Sequence, residues 1–121
     1  MLMVILYHGT PIENLEVILS QGILPYGCDA YTYFQPAVWL TTSPQLALFN
    51  AYEMEKEASK KLIRTPSKAY AILYVDVSNL EYERVNWRKN DFITFEKIGP
   101  ENIKRFQTES VDTAIMIHPN F

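Results

Sequence analysis

The chain has one cysteine, Cys28, in 121 residues. That excludes an internal disulfide, leaves no cysteine cluster for a metal, and fits a reducing compartment. Histidine is nearly as scarce: only His8 and His118 occur, and neither HxxxH nor CxxC spacing is present to hold zinc. We therefore expect no metal. Four glycines are too few for a Walker loop, and GxGxxG is absent as well. There is no GxSxG and no hydrolase signature around Cys28, so serine or cysteine hydrolysis has no support.

An excess of basic charge is also missing. The formal net charge of -3 argues against non-specific coating of nucleic acid, although it leaves room for a local patch. No apolar run approaches the roughly 20 residues of a membrane-spanning helix, so no membrane partner is expected. The apolar start, MLMVILY, has no basic flank and meets His-Gly-Thr rather than a small-residue cleavage site. It reads as a strand and not as a signal peptide, and the expectation is a soluble, cytoplasmic protein.

What is present is enough for one domain, residues 1–121, with a real core. "LMVILY" (2–7) is a continuous apolar run, as in a strand covered on both faces. Thr10 and Glu13 frame a capping box with Pro11 at the first helical position. Ile12, Leu15, Ile18 and Leu19 then share a helical face that Gly22 ends. "PYGCDAYTYFQP" (25–36) is an aromatic loop whose Tyr31, Tyr33 and Phe34 either close over a ligand or cover a sheet edge. "AVWLTT" is a short strand, and Ser43-Pro44 opens a second helix to about Leu62. Leu46, Ala47, Phe49 and Ala51 make its apolar half, and Glu57 is spaced to pair with Lys61 in its solvated half.

Beyond the helices, "AYAILYVDV" is a buried strand and "EYERVNW" an edge strand or extended loop. "DFITF" alternates, with Ile93 and Phe95 on one face and Phe92 and Thr94 on the other. "IGPENI" starts a helical turn, and "KRFQ" and "TAIMI" supply the last strands. Two early helices followed by a run of strands predict an α+β fold rather than a doubly wound sheet.

Chemistry concentrates at His8-Gly9-Thr10. A histidine at a strand end is either a half-buried residue beside a turn-forming glycine, or a ring at the sheet's lip beside a glycine that admits a ligand to the main chain. Taken alone, the residues favour the first. Trp39, Phe49 and Tyr52 likewise suit packing, and Asp91 after Asn90 suits a turn. Lys60, Lys61, Arg64 and Lys68 form a solvated helix end or, less readily, greet a nucleic-acid acceptor.

In context, three stretches resemble the ADP-ribosyltransferase superfamily, in the branch of poly(ADP-ribose) polymerases, diphtheria-like toxins and RNA 2′-phosphotransferases. "LYHGTPIENLEVILSQGI" is similar to that family's opening strand, its His-Gly-Ser/Thr and the helix behind it. "AVWLTTSPQLALFNAY" is similar to its second motif, an aromatic residue on a strand followed by a helix. "NDFITFEKIGPENI" resembles its third, an acidic residue opening a late strand. The three occur in the family's order over roughly half the chain.

The resemblance implies a split, strongly bent sheet and NAD as the ADP-ribose donor. His8 would bond an adenosine-side ribose hydroxyl, with Thr10 beside it, and the main chain of Gly9 would hold the nicotinamide carboxamide. Trp39, Phe49 or Tyr52 would stack on the nicotinamide ring. Asp91 would bind the nicotinamide-ribose hydroxyl and stabilise the charge that develops as the glycosidic bond breaks, with Glu81, Glu83 and Glu96 as competing candidates for the acid. The family's tyrosine is Trp39 here and its glutamate is Asp91. The chain's first arginine is Arg64, which counts against the phosphotransferase activity. Two expectations result: a mono-ADP-ribosyltransferase of unknown protein or nucleic-acid acceptor, or a silent relative that binds a nucleotide or a protein.

Overall fold

The computed structural model describes residues 3–26, 35–86 and 88–110. The expected strand at "TAIMI", the loop rings Tyr31, Tyr33 and Phe34, and Cys28 and His118 lie outside them.

Among the described residues, six strands form one antiparallel sheet: β1 (Ile5–Pro11), β2 (Val38–Thr41), β3 (Ala69–Asp76), β4 (Glu83–Arg84), β5 (Asp91–Thr94) and β6 (Ile103–Ser110), in the order β4-β5-β2-β1-β3-β6. Two α-helices among the same residues, α1 (Leu15–Gln21) and α2 (Pro44–Leu62), complete an α+β fold. The apolar runs expected to be buried supply the inner strands β1 and β3, although β1 begins at Ile5 and leaves Met3 and Val4 exposed. β1 pairs with β3 along its whole length, from Ile5↔Asp76 to Pro11↔Tyr70. It meets β2 in a single registered pair, Tyr7↔Thr41, so the sheet is thinly joined at that seam.

Both faces of the sheet's inner strands are covered, while β4 and β6 at its edges are largely exposed. On one face, Leu6, Val38, Leu40, Leu73 and Val75 pack with Ile18 of α1 and with Ile23 and Ile98. On the other, Ala47, Leu48 and Ala51 of α2 press on Tyr70 and Ile72. The second helix begins and ends as its sequence dictates: Ser43 Oγ accepts the Leu46 N–H at 3.1 Å, and Pro44 sits at the first turn. Its surface pairs differ from the expectation. Glu57 meets Lys60 at 3.5 Å rather than Lys61, and Glu53 meets Lys56 at 3.1 Å. Such exposed pairs contribute little to stability.

The opening stretch departs from its local signals. Thr10 and Pro11 remain in β1, because the ladder to β3 extends through Thr10↔Ala71 and Pro11↔Tyr70. No capping box forms. The Thr10 hydroxyl instead accepts from Asn14 Nδ2 at 3.0 Å, and the Glu13 carboxylate accepts from Ser67 Oγ at 2.6 Å. A 3-10 turn over Ile12–Asn14 leads into α1. A cap contributes about 1 kcal/mol, and a continued strand ladder outweighs it. Along α1, Ile18 is buried whereas Leu19 is 40 % exposed, so the apolar face is narrower than its periodicity suggests. Gly22 does end the helix: it adopts φ +84°, and its N–H bonds the Ile18 carbonyl at 2.8 Å.

Later elements follow the pattern. "EYERVNW" contributes the edge strand β4. Phe92 and Ile93 point to opposite clusters, although β5 stops at Thr94 and leaves Phe95 outside it. Pro100–Asn102 make the expected helical turn, and "KRFQ" lies within β6.

Candidate functional site

Because β1 continues to Pro11, His8 lies in mid-strand and only 5 % exposed, not at a strand end. It alternates with Tyr7 and shares the α1-side face with Leu6 and Thr10. At the thin β1–β2 seam, His8 Nδ1 donates to the Trp39 carbonyl oxygen at 2.8 Å. A carbonyl can only accept, so Nδ1 carries the proton and Nε2 keeps its lone pair. Burial pushes the His8 pKa below its ordinary 6.5, with the Trp39 bond partly opposing this. At neutral pH the ring is therefore uncharged, with one nitrogen committed to the fold and the other an acceptor.

His8, Gly9 and Thr10 form one wall of a cleft of about 530 Å³ between α1 and α2. Val17, Ile18, Leu24, Met54 and Ala58 give it apolar sides, while Asn14, Gln21, Glu55 and Lys97 supply polar points. Its size and its mixture of apolar wall and few polar groups are those of a small-molecule site. A flat ring suits the apolar sides, a ribose hydroxyl suits the Nε2 lone pair, and a phosphate suits the lysine.

The other residues named from the resemblance are placed differently. Gly9 faces α2, where a Cβ would run into the Ala47 carbonyl oxygen and lie 2.9 Å from Ala51 Cβ. Helix packing alone thus requires glycine there. Trp39 packs its ring with Ala37, Val85 and Ile93, and the Arg88 guanidinium stands 5.8 Å from the ring centre. Asp91 pairs with Thr41, which pairs with Tyr7, so its side chain lies on the sheet face opposite His8. It is buried, and Oδ2 meets Arg88 Nε at 2.6 Å.

Neither Trp39 nor Asp91 is among the described walls of the large cleft, although a small cavity of about 30 Å³ touches both His8 and Trp39. Phe49 and Tyr52 also lie outside those walls. The Tyr52 ring meets Tyr70 edge-on at 6.2 Å and has the Lys56 ammonium 5.5 Å away. Glu81, Glu83 and Glu96 are exposed, with a Glu96 carboxylate oxygen accepting the Glu81 N–H at 2.6 Å.

Glu55 was hidden in what reads as a solvated half-helix. It is buried, with Oε1 2.6 Å from Arg64 Nη2, Oε2 3.2 Å from Nη1, and the Ser67 N–H donating to Oε2 at 3.1 Å. The Arg64 bond holds its carboxyl below the ordinary range. The signal was the stripe Ala47, Leu48, Ala51, Glu55, Ser59, whose helical spacing carries the buried face past the last apolar residue.

Among the described residues no three His, Cys, Asp or Glu side chains gather to hold a metal, and no helix is long and apolar enough to cross a membrane. Compared with family models and with curated proteins, the chain matches none.

Proposed function

We propose that the cleft binds NAD and that the chain is an NAD-dependent mono-ADP-ribosyltransferase with a split-sheet fold of that superfamily. The observation that carries this reading is the neutral, anchored His8 beside Gly9 and Thr10 in the wall of an apolar cleft. The Trp39 bond holds the ring in one orientation, so Nε2 accepts a ribose hydroxyl without first reorganising. The apolar walls exclude water from the bound nucleotide and strengthen every polar contact made there. NAD, when bound, supplies the ADP-ribosyl group and a leaving group that departs as nicotinamide.

One observation favours the second reading, a silent nucleotide-binding relative. Asp91, the residue assigned to stabilise developing positive charge, is held by Arg88 on the opposite sheet face. Transfer needs a carboxylate within reach of the ribose, and Glu55, the carboxylate among the cleft's described walls, is taken up by Arg64. The two readings separate in one experiment: calorimetric titration with NAD beside a nicotinamide-release assay, using His8→Ala and Asp91→Asn. Binding lost in His8→Ala together with release lost in Asp91→Asn supports the transferase. Binding without release supports the silent relative. No binding at saturating NAD refutes the transferase, and no binding of ADP either refutes the silent nucleotide-binding relative.

A further inference from the structure

A dinucleotide brings a pyrophosphate, and a cleft that accepts it needs positive charge at a defined place. Most cations near the site are already engaged. Arg64 is held by Glu55, Arg88 by Asp91, Lys56 by Glu53 and Lys60 by Glu57. Lys97 is the one cation among the cleft's described walls, and no ion pair among the described residues involves it. It is exposed at the cleft's rim, so its charge is not spent on the fold.

Its position is set by the main chain. Ile23 and Ile98 form an isolated antiparallel bridge, with N–H to carbonyl distances of 2.8 and 2.9 Å. This ties the residue after Lys97 to the end of α1. Gly22 permits the approach: a Cβ there would strike the Ile98 carbonyl and lie 3.2 Å from Gly99 Cα, and its φ of +84° suits only glycine. The Gly22-Ile23 pair that ends α1 thereby holds Lys97 at the cleft.

Building on the NAD reading of the same cleft, we propose that Lys97 is its phosphate anchor and makes it select phosphorylated nucleotides over nucleosides. The ammonium pairs with a phosphate oxygen, while Glu55, already neutralised by Arg64, adds little opposing charge. The attraction acts at the rim, where salt screens it.

The test is calorimetric titration of wild type, Lys97→Met and Lys97→Arg with NAD, ADP and nicotinamide riboside at low and at high salt. Lys97 is exposed, so both variants fold. Lys97→Met should weaken NAD and ADP about fivefold at low salt and flatten their salt dependence. Lys97→Arg should keep most of the affinity, and riboside binding should not change. NAD binding in Lys97→Met equal to wild type, or an equal loss for the riboside, overturns the assignment while leaving the NAD reading intact. If NAD fails to bind wild type but ADP binds in a Lys97-dependent way, the NAD reading falls and the anchor stands. If neither binds, both fall.

Discussion

Replacing Gly9 by alanine separates two explanations of the same glycine. The resemblance assigns it to close contact with a ligand; the structure gives it a role in the ligand-free protein. The new Cβ would collide with the Ala47 carbonyl oxygen and stand 2.9 Å from both the Ala47 carbonyl carbon and Ala51 Cβ. Carbon atoms prefer about 3.5–4.0 Å, so α2 would have to withdraw by something approaching an ångström. Its obstacle is helix backbone, which no rotamer change can move aside. The withdrawal would loosen Ala47, Leu48 and Ala51 from Tyr70 and Ile72, the contact that seats the helix.

Overpacking costs about 1–3 kcal/mol, and the rigid opponent places Gly9→Ala near 3 kcal/mol. For a chain of this length the unfolding entropy at the midpoint is about 0.25 kcal/mol/K, so Tm should fall by roughly 12 °C. Circular-dichroism melts of the protein without nucleotide would measure this. A Tm within about 2 °C of wild type would refute the packing argument, all the more if nucleotide affinity were lost at the same time.

Two further outcomes follow from named residues. His8 has a folded pKa below its unfolded 6.5, so its contribution to stability is complete above pH 6.5 and is lost as pH falls through the lowered value. Urea unfolding at pH 7.5 and 5.5 should show a larger acid loss for wild type than for His8→Asn; equal losses would sink this account. Glu55 does not confuse the window, because its depressed pKa acts only below 4.5. Ile63 closes α2 at φ 52°, a left-handed conformation costly for a β-branched side chain, and is 93 % exposed. Ile63→Gly should therefore stabilise the fold by about 1 kcal/mol and raise Tm by about 4 °C; an unchanged or lower Tm would contradict the strain.

Where structure depended on neighbouring residues, it was legible in the sequence. Ser43-Pro44 starts α2, Gly22 ends α1, and the apolar runs around Tyr7 and Ile72 are central strands, because caps, turns and burial patterns act over a few residues. Thr10, Pro11 and Glu13 carried an equally plain local signal, and it failed. Their backbone is claimed by β3, some sixty positions away in the chain, and a ladder of paired strands outweighs one cap. The pattern of His8 marked it as a residue of interest, but not its bond to Trp39, which exists because β1 and β2 diverge after one pair.

The sequence by itself determined the α+β order, the start of α2, the end of α1 and the cluster His8-Gly9-Thr10. Tertiary structure alone decided which way each side chain faces. Strand register put Asp91 on the face opposite His8, while the seating of α2 and the Ile23–Ile98 bridge brought Glu55 and Lys97 to the cleft. Register is a property of pairs of strands, and side-chain direction reverses with every residue along them, so no single stretch of the chain contains that information.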